Sequence, residues 1–292
     1  MEENQQSAYH VAHTLKGESV DQDVYEAMRL YMAADLGIPE GVADRRARQE
    51  LERGSAKGAV RDLERAGVKI DGADTLDLGA GLGTMSEELL LRGAHVIALE
   101  PGAAWANIVQ RRLERHDKPF RLIRGFGEAI DLPDASVDLI VSLQVLEHVQ
   151  DPRKVLSEAW RVLRPGGHFY LICENYLAFR EGHYRVPWFP LLPKGLGAIY
   201  LRALGRDPQF LREAVTYVTY PGILRMCRSI GFARLRDEEM KEGLRSKQGM
   251  KWTILRRIAQ VCGANAPLVL DRARIAFKFG VYEIFEKKQP RA

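Results

Sequence analysis

From Asp74 to Asn175, short β-rich apolar runs alternate with helical spacings of apolar residues. Thr75–Leu78, His95–Glu100, Phe120–Ile123, Val137–Ser142 and His168–Cys173 read as strands, with helices over Met85–Arg92, Ala103–His116 and Lys154–Leu163. That alternation predicts βαβ units, hence an α/β fold with a parallel sheet covered on both faces. Residues 1–73 have a different texture, polar and helix-prone. Val24, Ala27, Met28, Tyr31 and Met32 recur on one side of a helix over Asp23–Leu36, and Gly37-Ile38-Pro39 stops it. Charged helical stretches follow over Val42–Leu51 and Ala56–Ala66. A helical N-terminal extension over 1–73 and a main domain over 74–292 are expected.

The alternation breaks after Asn175. Residues 176–214 are rich in Pro, Gly, Tyr and Trp, show no clear strand, and read as a lid insertion. Regularity resumes with a helix over Pro221–Ile230 and a strand over Phe232–Leu235. A basic helical insertion at about 244–277 comes next, made of Leu244–Cys262 and a helix over Leu268–Phe277. Val281–Phe285 alternates as an edge strand should.

Composition narrows the classes. With 46% hydrophobic and 28% charged residues in 292, the chain can bury a sizeable core, which excludes wholesale disorder. A net charge of +4 permits an acidic partner without requiring one. Cys173, Cys227 and Cys262 form no CxxC pair, so neither a disulfide framework nor a thiolate zinc site is expected. The polar start and the lack of a long apolar run point to a soluble, cytoplasmic protein with no transmembrane segment.

Candidate chemistry starts at Asp77-Leu-Gly79-Ala80-Gly81-Leu-Gly83, between a strand and a helix. Glycines let the backbone turn tightly and approach a ligand, and the helix start offers free N–H groups. The spacing is G-x-G-x-G rather than the G-x-G-x-x-G of dinucleotide binders. A carboxylate at Asp77 would repel a pyrophosphate but suits an ammonium group. Glu100, closing the second strand, is placed to accept hydrogen bonds from ribose hydroxyls.

Four motifs in order carry a resemblance: Asp77–Gly83; Ala98-Leu-Glu100-Pro101; Leu132–Pro152, containing Asp138 and Glu147-His148; and Val162-Leu-Arg164-Pro-Gly-Gly167. Together they resemble the Rossmann-like, class I S-adenosylmethionine-dependent methyltransferases that modify small molecules, over roughly residues 55–175. The resemblance implies a seven-stranded, mostly parallel sheet whose last strand runs antiparallel beside the fifth. It implies S-adenosyl-L-methionine as cofactor. Asp77, Gly79, Ala80 and Gly81 would hold its methionine end, Glu100 its ribose, and Pro101 would lie beside its adenine. Gly125–Ala129 departs from the family pattern, with Phe126 where an acid usually meets the adenine amino group; Phe126, Gly127 and Glu128 are expected to line that end. Leu143 and Gln144 would face the methionine portion, while Arg164–Gly167 reads as a turn before the fifth strand.

The acceptor side is less determined. The fifth strand runs out at Glu174 into Glu181-Gly-His183-Tyr184, and ligands in such sheets bind beyond the strand carboxyl ends. Glu174, His183 and Tyr184 are therefore the candidate catalytic residues. A histidine suits removal of a hydroxyl proton, so the expected reaction is O-methylation of a small-molecule or glycan-type hydroxyl. Alternatives are a non-catalytic methyltransferase-like module and a nicotinamide-dependent oxidoreductase, the latter disfavoured by Asp77 and the glycine spacing. Glu147-His148 reads as a helix start. Related quinone-biosynthesis methyltransferases bind a divalent cation through an acid-rich version of this segment, but Gln144 stands here where a further carboxylate would help, so no metal is expected. The basic run with Lys247, Lys251, Trp252, Arg256 and Arg257 carries no stacking motif, and no nucleic-acid partner is expected. The apolar and basic residues of the lid allow a lipid-linked acceptor and weak peripheral membrane contact.

Overall fold

The computed structural model describes residues 19–235 and 280–288. The predicted basic helical insertion, the extreme N-terminus and the last four residues lie outside the described residues. The sheet has seven strands in the order β3-β2-β1-β4-β5-β9-β8. They are β1 (Asp74–Leu78), β2 (His95–Leu99), β3 (Phe120–Ile123), β4 (Val137–Leu143), β5 (Leu163–Glu174), β8 (Phe232–Arg234) and β9 (Gly280–Lys287). The first five run parallel, and β9 is antiparallel to both neighbours.

Between β1 and β5 stand α4 (Thr84–Leu91), α5 (Ala103–Glu114) and α6 (Pro152–Val162). Helix α6 starts where Asp151 accepts a hydrogen bond from the Lys154 N–H at 3.0 Å and Pro152 occupies the first turn. One core lies on the side of α6 and α9 (Tyr220–Ile230), around Leu76, Ile140, Phe169 and Phe285. The opposite core joins Leu89, Val109, Val141 and Tyr170 to α3 (Gly54–Arg65). A sheet buried on both faces explains why its central strands read as continuous apolar runs.

Several expectations need correction. β9 is not the edge of the sheet, because β8 pairs with its end at Phe285–Lys287, and Val281, Ile284 and Phe285 are all buried. Arg164–Gly167 does not precede β5 but bulges within it. The register with β4 jumps from Val137↔Leu163 to Leu139↔His168, and Gly166 takes φ 82°. Glu147-His148 lies in a turn, one loop short of α6. The segment 176–214 is not without regular structure. It holds a two-stranded ribbon, β6 (Arg180–Glu181) with β7 (Val186–Pro187), then α7 (Lys194–Ala203) and α8 (Gln209–Glu213).

The N-terminal helices are α1 (Val20–Leu30, continued by a π turn to Asp35) and α2 (Glu40–Leu51), followed by α3. Helix α1 lies on α5, with Val24 and Ala27 packed against Leu82 of the glycine turn and Ile108. Asp23 pairs with Arg111, and Asp21 with Arg115 at 2.6 Å. Met32, Leu36 and Ile38 continue into a third core with Tyr176, Tyr184, Trp188, Leu201 and Phe210. The extension and the 176–219 segment thus share one apolar core above the strand ends. No helix among the described residues is long and apolar enough to cross a membrane.

Candidate active site

The glycine turn leaves β1 at Leu78 and enters α4 at Thr84. Gly79, Gly81 and Gly83 all take positive φ, a region that disfavours side chains. At Gly79 the demand is double: φ is 79°, and a Cβ would stand 2.5 Å from Cγ2 of Val145. Val145 follows β4, so this close approach brings the turn against the end of that strand.

Two carboxylates flank the turn. Asp77 is buried and accepts a hydrogen bond from the Ser86 hydroxyl at 2.5 Å. Burial pushes its pKa up to about 6, with Glu100 nearby adding to the rise. Glu100 accepts from the N–H of Gly81 through Oε2 and from that of Gly102 through Oε1, each at 2.9 Å. Burial raises its carboxyl, while those two backbone donors hold it down. An ammonium group beside Asp77 and hydroxyl donors beside Glu100 would each meet an acceptor already oriented by local bonds.

Other predicted positions vary in what they offer. Phe126 is 57% exposed, its ring free to stack on a flat ligand. Gly127 packs against Val155 and Leu78. Glu128 instead accepts from the N–H groups of Gln150 and Asp151, at 3.1 and 3.4 Å, steadying the approach to α6. Pro101 offers its carbonyl to Arg124 at 3.2 Å. Leu143 is the last residue of β4. Gln144 takes φ 57°, rare for a residue with a side chain, and donates through Nε2 to Glu174 at 3.1 Å. Such backbone strain collects where geometry serves a ligand.

The acceptor-side candidates divide. Tyr184 is fully buried; its hydroxyl donates to the Asp207 carbonyl at 2.7 Å and accepts from the Leu211 N–H at 3.2 Å. Both bonds tie the Tyr184 hydroxyl to the segment's own backbone. His183 differs. Its Nδ1 donates to Glu181 at 2.9 Å, leaving Nε2 unengaged by that bond. Burial would lower its pKa, but the hydrogen bond and charge of Glu181, backed by Glu147 and Glu174, lift it to about 9. Glu181 is held down by the same partner, against its own burial. Glu174 lies against Gly182, where a Cβ would run into its carboxyl, and burial raises its pKa.

Glu147 and His148, weighed in the sequence without His183, meet it here. Glu147, read as one end of a helix start, is fully buried. It accepts the Glu174 N–H at 3.1 Å, its Oε2 has no partner, and burial pushes its pKa up to about 7. His148 donates from Nδ1 to the Ala214 carbonyl at 2.8 Å, and its ring meets that of His183 edge-on with centroids 5.0 Å apart. A carboxylate oxygen of Glu147 and one nitrogen from each imidazole lie within 4.8 Å of one another. Three such donors could hold a divalent cation, where Glu147 and His148 alone offered too few. The missing signal was Glu181-Gly-His183, a spacing that lets one side chain orient the other. Nothing local tied it to Glu147.

Comparison with known proteins agrees with this geometry. Residues 76–171 match the family described as "Methyltransferase domain". A demethylmenaquinone methyltransferase of Clavibacter sepedonicus is 36% identical over 142 residues, 48% of this chain and 52% of that protein. A ubiquinone biosynthesis O-methyltransferase of Pseudomonas putida is 35% identical over 110 residues, 37% of this chain and 47% of that one. The chain thus spans about half the length of the curated relatives it matches. A solved structure, a candidate sarcosine dimethylglycine methyltransferase from Galdieria sulphuraria, superposes with TM-score 0.53 at 17% identity, covering 98% of both chains; at that identity it speaks for the fold alone. The glycine turn, the paired acids Asp77 and Glu100, the parallel strand order β3-β2-β1-β4-β5 and the match over residues 76–171 together support a class I S-adenosylmethionine-dependent methyltransferase domain in this part of the chain.

Proposed function

We propose that the protein transfers the methyl group of S-adenosyl-L-methionine to a hydroxyl of a small-molecule or glycan-type acceptor. The observation that carries this reading is a shared rim. The glycine turn touches Val145, and the neighbouring Gln144 reaches Glu174, whose N–H is bound by Glu147 beside His183. Cofactor-type and acid–base groups are therefore linked by direct contacts beyond the ends of β1, β4 and β5.

In this reading Asp77 holds the amino group of the cofactor's methionine, and Gly79, Ala80 and Gly81 let the backbone approach it. Glu100 binds the ribose hydroxyls. Pro101, Phe126, Gly127 and Glu128 border the adenine, and Leu143 and Gln144 the sulfonium side. The acceptor oxygen attacks the methyl carbon as the S–CH3 bond breaks. The hydroxyl proton passes to Nε2 of His183, and Glu181 stabilises the imidazolium that results. The products are the methyl ether, S-adenosylhomocysteine and a proton. Rate comes chiefly from holding the acceptor in line with the methyl group. Glu181, which orients His183, is itself held by the hydroxyl of Tyr176, a buried ring stacked on that of Tyr217 at 4.3 Å.

The reading is tested at the ribose. Glu100→Ala removes charge-assisted hydrogen bonds worth ~1.5–3 kcal/mol, so affinity for S-adenosylmethionine and S-adenosylhomocysteine should fall about ten- to hundred-fold by calorimetric titration. Glu100→Gln keeps an acceptor for only one of the Gly81 and Gly102 N–H groups and sets an amide NH2 against the other, so it should lose affinity as well. Wild-type affinity in both variants rejects the assignment, and tighter binding of a nicotinamide dinucleotide by the wild type would favour the oxidoreductase reading.

A further inference from the structure

The face of residues 179–204 is made of groups that a water-facing surface has no use for. Among the described residues nine large hydrophobic side chains are exposed, and six of them fall in this one segment: Phe179, Phe189, Leu191, Leu196, Ile199 and Leu204. Phe189 is 73% exposed and Ile199 63%. Scattered exposed hydrophobics are ordinary, but a concentration of them marks an interaction surface.

Local structure explains why they point outward. Helix α7 buries Gly197, Ala198 and Leu201. Trp188 packs over Gly197, where a Cβ would stand 2.7 Å from its ring, so this side of the helix is taken by the segment's own core. Leu196 and Ile199 are three positions apart, hence neighbours on the other side. Phe179 accepts the Trp188 N–H on its carbonyl at 3.0 Å, which sets Phe179 beside the start of the Phe189–Leu191 turn. The Trp188 side chain, 3% exposed, is core; the outward aromatic is its neighbour Phe189.

Between the buried Glu181 and the exposed Asp207 the charged residues along the chain are all cations, although Lys194 is committed to the Arg212 and Val215 carbonyls. From Gly182 to Arg206 the sequence contains no Asp or Glu, yet carries Arg185, Lys194, Arg202 and Arg206. Arg185 and Arg202 are exposed. Outward apolar side chains with cations among them, on a short helix lying along the surface, suit the headgroup boundary of an anionic bilayer. The geometry points to this face as a docking surface for anionic phospholipid membranes. The same segment carries His183, so a docked molecule would bring its acceptor side close to the lipid. That the acceptor is an apolar or lipid-linked molecule drawn from the bilayer rests on the methyl-transfer reading; the docking itself does not.

The test is cosedimentation of the full chain with phosphatidylcholine vesicles with and without phosphatidylglycerol, at low and high salt. The wild type should bind the anionic vesicles, more weakly as salt screens the charges. Phe189→Asp/Ile199→Asp should lose about tenfold or more in vesicle affinity, since each added negative charge opposes a negative surface. Arg185→Gln/Arg202→Gln should weaken binding to the anionic vesicles alone. Unchanged melting temperature and cofactor affinity in both double variants would show that the fold is intact. Wild-type protein that ignores anionic vesicles at low salt overturns the proposal. So does equal binding by the Asp variant, which would put the membrane contact elsewhere on the chain. A wild-type dimer by light scattering that becomes a monomer in the Asp variant also overturns it, because a second copy would then cover this face. Loss of cofactor binding in the Glu100 variants bears only on the methyl-transfer reading and leaves vesicle binding untouched.

Discussion

Glu87→Ala should destabilise the protein by about 3–5 kcal/mol at neutral pH, the usual cost of stranding one half of a buried ion pair. Glu87 sits fully buried on α4. Its Oε2 accepts from Arg112 Nε at 2.9 Å and Arg53 Nη1 at 3.3 Å, and its Oε1 from Arg115 Nε at 2.9 Å and His116 Nε2 at 2.6 Å. Arg112, 1% exposed, spends its other donors on the Leu82 and Glu50 carbonyls and the Thr84 hydroxyl. One carboxylate therefore joins α4 and α5 to Arg53, the residue that caps the start of α3, and through Arg115 also reaches Asp21 on α1. Burial would raise the Glu87 pKa, but the Arg112 charge and the hydrogen bonds from His116, Arg115 and Arg112 hold it down to about 2, against a usual 4.5. Burial also pulls the Arg112 guanidinium below its usual range, so that pair alone gains little; the balance rests on the several cations gathered round a single carboxylate.

The pH dependence follows in sign. A carboxyl whose pKa is lower in the folded state contributes its stability above pH 4.5 and loses it as pH falls from there toward 2. The amount at stake is about 3 kcal/mol at ~1.4 kcal/mol per pH unit. Urea unfolding of wild type and Glu87→Ala should show a wide gap at pH 7 that narrows steadily below pH 4.5. A constant gap from pH 7 to pH 3 would mean that the variant suffers from lost packing rather than lost charge.

The legible and illegible parts of this chain divide along chain distance. β1, the glycine turn and α4 were readable because strand, turn and helix signals stand side by side. The seven-stranded order came with the motifs rather than from any strand's own pattern. β9 shows why pattern alone misleads: its alternating types suggest an edge, yet Glu283 is buried, accepting from Arg234 at 2.6 Å and from the Tyr220 hydroxyl. An acid at a core position looks like a solvent-facing one until its partners are known. Helix α7 was hidden for the reverse reason. Two glycines in ten residues and a preceding proline read as loop, and the apolar residues that might have shown a helical period are split between core and surface. The cluster of Glu147, His148 and His183 was out of reach altogether. Each residue could be weighed in its own motif, but their meeting depends on how the connection between β6 and β7 comes against the turn after β4, and no local spacing encodes that.

His183→Ala should lower turnover by ~10²–10⁴ while leaving cofactor affinity unchanged, the range expected when a positioned general base is removed. The pH profile separates this role from mere packing. With its pKa lifted to about 9, His183 carries a proton through the neutral range, and only the unprotonated fraction can accept one from the acceptor. That fraction grows about tenfold per pH unit until pH approaches 9, so wild-type kcat/KM should climb across this range and then level off. Glu181→Gln removes the charge that lifts the pKa but keeps an oxygen for Nδ1–H to bond. The rise should therefore level off at lower pH in that variant, with activity at neutral pH set by two opposing changes: more neutral imidazole, and a less stabilised imidazolium. A structural His183 would give no such shift. A profile flat from pH 7 to 9 in the wild type, or wild-type turnover in His183→Ala, would move the proton to His148. Its Nδ1 is committed to the Ala214 carbonyl, and its Nε2 would be the acceptor. His148→Ala would then carry the large loss, and the aromatic contact between the two rings would make each substitution report on the other.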